Sequence, residues 1–335
     1  SGGTLVNTGT LQIGQTTDID TAAQLPSYIQ TGGDATHGTL TMGGSSQWRV
    51  HSTTVTLSIT GGNFTAGNFT VLANGNNDVA NITIGGNAIV TLPAFPTTRS
   101  FGGTAYLTFD GGTLRPTASS SAYLGGLTSA TIRSGGVTFD TNSYNITVSQ
   151  ALLANATSTG GGLTKNGTGT LTLTGNNTYN GTTTINAGTI EIGAAGLLGG
   201  GSYSGNIANS AVLIYSGTAN QTLSGILSGN GALTHNNTST LTLSGNNTYT
   251  GTTTINAGTL AIGANMSMGV FAGTGNLSLG TGYTLTTNTS TTNTFSGLII
   301  GNGALTKNGT GRLTLGGNNT YAGGTTINAG TLEIG

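Results

Sequence analysis

The sequence predicts an all-β chain wound as a β-solenoid, and three observations carry that prediction. Apolar and hydroxyl residues alternate in short runs such as Thr170-Leu171-Thr172-Leu173-Thr174, the period of strands with one buried face. Glycine supplies 61 of 335 residues while proline supplies 4, so corners are frequent and strands are seldom interrupted. A long motif returns three times, and fixed-period repetition is the signature of stacked architectures.

The repeat is clearest at 162–193, again at 232–263 and at 304–335, with Leu163, Leu233 and Leu305 in corresponding places. A spacing of about 70 residues exceeds one turn of an ordinary solenoid, so each period is expected to cover about three turns of roughly 24 residues. Within a copy, Leu171 and Leu173 point to one face and Thr170, Thr172 and Thr174 to the other. Gly175-Asn176-Asn177-Thr178-Tyr179 breaks the alternation, since Gly and Asn tolerate the left-handed backbone of sharp corners. Strand character resumes at 182–185 and 189–192, separated by the turn Asn186-Ala187-Gly188.

The first half is less regular. Gly61-Gly62-Asn63-Phe64, Ile82-Thr83-Ile84-Gly85-Gly86, Phe109-Asp110-Gly111-Gly112 and Gly135-Gly136-Val137-Thr138-Phe139-Asp140 read as eroded strands and corners. Residues 16–30, with Asp18, Asp20 and Pro26, stand outside the pattern and are expected as a loop or short helical arm. The organisation is therefore one continuous body, with irregular turns over 1–160 and three regular repeats over 161–335.

Composition excludes several classes of function. Only 4% of residues are charged, the formal net charge is −1 and the mean hydropathy is +0.05. Seven Lys and Arg spread over the chain give no electrostatic footprint for nucleic acid. Disorder is disfavoured too, because disordered chains are charged and poor in β-branched residues. No apolar run is long enough to make a membrane-spanning helix. The absence of Cys fits an exported protein. The opening residues lack the regions of a secretory signal, as expected if the signal has been removed or the chain begins inside a longer protein.

The recurring Gly-Asn-Asn-Thr-Tyr corner, followed by Ile-Asn-Ala-Gly-Thr and a Leu or Ile, resembles the autotransporter-associated β-strand repeat of bacterial secreted passengers and other large surface proteins. The resemblance covers about half of the chain. It implies a right-handed parallel β-helix and an extracellular, cell-surface location.

A solenoid exposes strand edges at its ends, which template pairing unless capped. Gly330-Thr331-Leu332-Glu333-Ile334-Gly335 is a regular repeat ending, and Gly9-Thr10-Leu11-Gln12-Ile13-Gly14 copies it. Gly9, Thr10, Leu11, Ile13, Thr331, Leu332 and Ile334 are thus candidate stacking residues. They predict either a section of a longer protein or a subunit that self-associates head to tail into filaments, with 1–14 donating a strand and 16–30 as the connecting arm.

No catalytic, cofactor or metal site is expected. Acid–base work requires clustered carboxylates, and Asp and Glu number 8. Asp18 with Asp20 reads as a solvated loop pair. Asp110 and Asp140, which stacking could bring near each other, read as corner residues closing turns through their backbone. Glu191 and Glu333 are equivalent, and Ala261 replaces them in the second copy, as at an exposed strand position. His37, His51 and His235 are scattered, and His235 stands where Lys165 and Lys307 stand in the other copies, which reads as surface variation. Trp48 and Arg49 carry no motif. Tyr179, Tyr249 and Tyr321 recur at one corner. They form either an exposed row for surface glycans or lateral packing, or a cover folded over the core. The functions in view are a structural fibre subunit, a glycan- or cell-binding adhesin stalk, and, least favoured, a glycan-processing enzyme.

Overall fold

The computed structural model describes residues 3–13, 27–42, 54–73, 78–95, 97–99 and 103–335. Two compact units are present, Ser1–Gly181 and Thr182–Gly335. Each is a stack of parallel strands, as the alternation predicts. Among the described residues the helical content is one 3-10 turn, Gly199–Gly201.

In the second unit most strands are short, and each turn carries strands of three sheets. Strand Thr240–Leu243 pairs with Thr259–Ile262, which pairs with Asn276–Leu279, which pairs with Ile299–Gly301. Leu241, Leu260, Leu277 and Ile299 therefore form one buried ladder, and Leu243, Ile262 and Leu279 a second. Each such fully buried side chain contributes about 1.5–3 kcal/mol relative to exposure. Thr242, Ala261 and Ser278 lie between the ladders and point outward.

The register of this unit corrects the expected turn length. Its first turn keeps the expected length, Thr183 pairing with Ile207 and Thr189 with Val212, but Val212 pairs with Ala232, Leu305 with Thr325 and Thr259 with Asn276, so the later turns are shorter than the roughly 24 residues expected. The interval from Leu233 to Leu305 is not a whole number of such turns. Strand Ala232–His235 accordingly lies in a sheet with Val212–Gly217, Thr253–Ile255 and Phe271–Gly273. Its counterpart Ala304–Lys307 lies in another, with Thr284–Thr287 and Thr325–Ile327. Equivalent residues of these two copies occupy different faces.

The first unit has longer strands than eroded repeats suggest. Strands Ser27–Met42, Thr54–Ala73, Val79–Leu92 and Thr104–Pro116 pair in succession. Thr54 pairs with Val79 and Val79 with Thr104, so these turns keep close to the expected length of roughly 24 residues, while the turns before them are longer, Thr4 pairing with Asp34 and Ser27 with Thr56. Leu57, Ile82 and Leu107 stack as one inner ladder, with Ile59, Ile84 and Phe109 as the next. Gly61-Gly62, Gly85-Gly86 and Gly111-Gly112 lie inside these strands at bends where the pairing register shifts, while Gly135-Gly136 lies between strands Ser129–Ile132 and Val137–Asp140. Gly62 has a φ of 74° and a Cβ there would collide with the Gly33 carbonyl, so only glycine lets neighbouring turns close at this bend.

Of the predicted arm, residues 16–26 lie outside the described residues, while 27–30 open the strand Ser27–Met42 and pair with 56–59. The strand Thr4–Ile13 pairs with its own chain, Thr10 with Thr39, Leu11 with Leu40 and Ile13 with Met42. Leu40 and Met42 supply apolar partners for Leu11 and Ile13, which is why the local pairing forms.

Candidate functional surface

The repeat corner is built around its second asparagine. In the first unit, Asn177 Oδ1 accepts the Leu152 backbone N–H at 3.0 Å, and its amide donates to the Gly175 carbonyl at 2.8 Å. In the second unit, Asn247 joins Leu227 and Gly245 at 2.7 and 2.9 Å, and Asn319 joins Ile299 and Gly317 at 2.8 and 2.7 Å. One side chain thus closes its own corner and staples it to the preceding turn. Backbone groups left without a ladder partner at the corner are satisfied in this way.

The tyrosine that follows covers the core. Tyr179 and Tyr249 are buried, so neither offers a ring face to a glycan, and the cover reading is the one the structure shows. The Tyr249 hydroxyl shares a 2.7 Å hydrogen bond with Thr253, which is also buried. Burial pushes the Tyr249 phenol up to about 12. Tyr321 is half-buried and shares the same bond with Thr325 at 2.5 Å. Tyr249 and Tyr321 also sit at different corners, one against Leu227 and the other beside the Thr320–Ile299 contact, so they form no row.

Lys165, His235 and Lys307 are buried rather than at the surface. Lys165 Nζ donates to the carbonyls of Asn166 at 2.9 Å and Gly167 at 2.7 Å. His235 Nε2 lies 2.9 Å from the Ser239 carbonyl and Nδ1 lies 3.3 Å from that of Tyr215. Lys307 Nζ donates to Gly309 and Ala329. Each fills the loop after its strand with a nitrogen aimed at carbonyl oxygens. The signal was present: Leu163 and Lys165 alternate with Thr164 on one strand and must face the same side.

The carboxylates are engaged structurally. Asp140 Oδ1 accepts the Asn142 N–H at 3.0 Å and closes its own corner as expected, whereas Asp110 Oδ1 accepts the Gly135 N–H at 3.0 Å and ties its bend to the next turn. Asp140 also forms an ion pair with Arg115 at 2.8 Å. Glu333 is exposed and pairs with Arg312 at 3.0 Å; Glu191 accepts from the Ser216 hydroxyl. Asp18, Asp20, Trp48, Arg49 and His51 lie outside the described residues. Among the described residues, no group of three His, Cys, Asp or Glu is arranged to hold a metal ion.

What the first unit does present is a neutral outer face that the sequence did not single out. Ser58, Thr83, Thr108 and Thr131 stack in register on its outside, flanked by Thr56, Asn81, Tyr106 and Ser129. Tyr106 is 37% exposed and sits in this array of hydroxyl and amide groups. Its position emerges only from register, because no repeat motif marks it.

Among the stacking candidates, Thr331, Leu332 and Ile334 belong to strand Thr331–Ile334, paired with Arg312–Leu315. Ile327 and Ile334 are 51% and 66% exposed, whereas their counterparts Ile255 and Ile262 are buried.

Comparison with known proteins agrees with the repeat architecture. The chain carries three passenger-associated-transport repeats, at 163–192, 233–262 and 305–334. It is 34% identical over 277 residues to the adhesin BmaC autotransporter of Brucella suis biovar 1 (strain 1330), a match covering 64% of this chain and 8% of that protein. No solved structure matches the chain. The repeats and this relative mark an extracellular, cell-surface protein.

Proposed function

We propose that this chain is part of an autotransporter passenger that holds an adhesive surface away from the cell, and that it acts by binding rather than by catalysis. The observation that carries this reading is the conjunction of three passenger repeats with a 34% identical adhesin. The geometry fits it: Asp110 and Asp140 are used in corners and an ion pair, and the outer rows are neutral. A face of hydroxyls and amides around a half-exposed Tyr106 suits neutral glycans, with ring stacking on the phenol and hydrogen bonds from the flanking side chains. The test is binding of the purified chain to cultured cells and to immobilised neutral polysaccharides, with Tyr106→Ala beside it. Saturable binding that weakens several-fold in the variant supports the reading. Equal binding by chain and variant removes Tyr106 from it, and no binding to any cell or glycan removes adhesion.

A second reading, end-to-end stacking of copies into filaments, rests on the likeness of Gly9-Thr10-Leu11-Gln12-Ile13-Gly14 to the repeat ending Gly330-Thr331-Leu332-Glu333-Ile334-Gly335. Negative-stain electron microscopy at several concentrations separates the two: concentration-dependent filaments support stacking, and isolated particles at every concentration oppose it.

A further inference from the structure

His37 is the least satisfied polar group in the first turns. It is 2% exposed, and neither Nδ1 nor Nε2 has a hydrogen-bond partner among the described residues. Its ring packs edge-on to Tyr28 at 5.9 Å and against Phe64 at 5.4 Å. In register it stands between Asn7 on strand Thr4–Ile13 and Ala66 on strand Thr54–Ala73. Next to it, Gln30 turns its amide to the carbonyls of Gly33 and Asn63, at 2.9 and 3.1 Å, and accepts the Tyr28 hydroxyl at 3.2 Å. Gln30 and Tyr28 are therefore committed to each other and to backbone carbonyls, and leave the imidazole packed between the Tyr28 and Phe64 rings.

We propose that His37 is an acid-sensitive latch: protonation of its ring opens the turns formed by Thr4–Ile13, Ser27–Met42 and Thr54–Ala73. An imidazolium needs two acceptors or a nearby anion, and among the described residues neither ring nitrogen meets an acceptor. The titratable groups on its own strand are Tyr28, which burial keeps protonated, and Asp34, whose carboxylate accepts Asn63 Nδ2 at 2.8 Å on the exposed side. Strands Thr4–Ile13 and Thr54–Ala73 contribute no titratable side chain. Burial holds the His37 ring below the ordinary histidine range. Above about pH 6.5 the ring is neutral whether the turns are closed or open, and the latch is fully set. As pH falls below that, the opened turns bind a proton that the closed turns do not, so closure weakens. A surface protein with this device would loosen in these turns on entering an acidic environment.

The experiment is hydrogen exchange of the whole chain at about pH 7.5 and about pH 5, corrected for intrinsic rates, read on peptides from these three strands. Opening should increase about tenfold at the lower pH while strands of the second unit stay unchanged. His37→Phe, which keeps an aromatic ring and cannot take a proton, should abolish the increase. Direct titration of the His37 ring by NMR in the unaltered chain keeps the proposal testable if that variant does not fold: a midpoint below that of free histidine supports it. An unchanged exchange pattern at low pH, an increase that persists in His37→Phe, or a ring midpoint at or above that of free histidine overturns it.

Discussion

Asn247 accepts the backbone N–H of Leu227, on the preceding turn, at 2.7 Å and donates to the carbonyl of Gly245 at 2.9 Å. A short amide thus does at the corner what a ladder hydrogen bond does along the strand. Asn247→Ala leaves the buried Leu227 N–H without a partner and should cost about 1–3 kcal/mol. Asn246→Ala, at the exposed neighbouring position, should change stability by less than about 0.5 kcal/mol. Denaturant titration of the two variants checks the contrast.

Tyr249 is the lid on the same corner. Tyr249→Phe strands the buried Thr253 hydroxyl and should cost about 1–3 kcal/mol, and Tyr249→Ala, which leaves a cavity, about 3–5 kcal/mol. Tyr321→Phe should cost less, because its bond to Thr325 is exposed. Thermal melting of the three variants orders them.

Lys165 gives the chain an alkaline signature. Desolvation, opposed by nearby Asp140, lowers its amine to about 8. A free lysine titrates near about 10.4, so between these values the unfolded chain binds a proton that the folded one does not. Stability should therefore rise as pH increases from about 8 towards about 10. Tyr249 works in the opposite sense, and only above about 10: there the unfolded phenol ionises while the buried folded one keeps its proton, so stability falls as pH rises. Melting curves across this range should show the rise in the parent chain and a shallower one in Lys165→Met.

Gly258 has a φ of 68°, and a Cβ there would meet the carbonyls of Asn237 and Ser239. Gly282 has a φ of 80° with nothing within 4 Å. Gly282→Ala should lose about 1–2 kcal/mol from the left-handed backbone alone, and Gly258→Ala more. Equal losses at the two sites would show that the stacked corner has room to yield.

Charge contributes little to the stack. Among the described residues two ion pairs are present, Arg115–Asp140 and Arg312–Glu333, the second on an exposed surface where such pairs are worth at most about 1 kcal/mol. Melting should be nearly the same at low and high salt, since there is little for ions to screen.

Much of this architecture was legible in residue types. Leu171, Leu173 and their partners declared the inner face by alternation, and Gly-Asn-Asn-Thr-Tyr declared the corner. Turn length in the second unit was not legible, because the spacing of Leu163, Leu233 and Leu305 fixes a sequence period and not the number of faces it crosses. That is why a row of Tyr249 and Tyr321 was conceivable until the register placed their copies on different sheets. Lys165 and His235 were misassigned for another reason: residue type argued for the surface, while alternation with Leu163 and Leu233 argued for the interior. Position prevailed because corner carbonyls satisfy the buried nitrogens. Tyr106 and the partnerless ring of His37 depend on pairing between distant strands, which no local pattern reveals.

The stacking itself can be tested by disulfide trapping, since the chain contains no cysteine. Thr242 and Ala261 are in-register neighbours on the outer face, and Thr242 and Ser278 are separated by the intervening strand. The stacked solenoid predicts that Thr242→Cys with Ala261→Cys oxidises to an intramolecular disulfide, by mass spectrometry, while Thr242→Cys with Ser278→Cys stays reduced. Bonding in the second pair and not the first would contradict the stacked register of the second unit, on which the Asn247 corner and the Tyr249 lid depend.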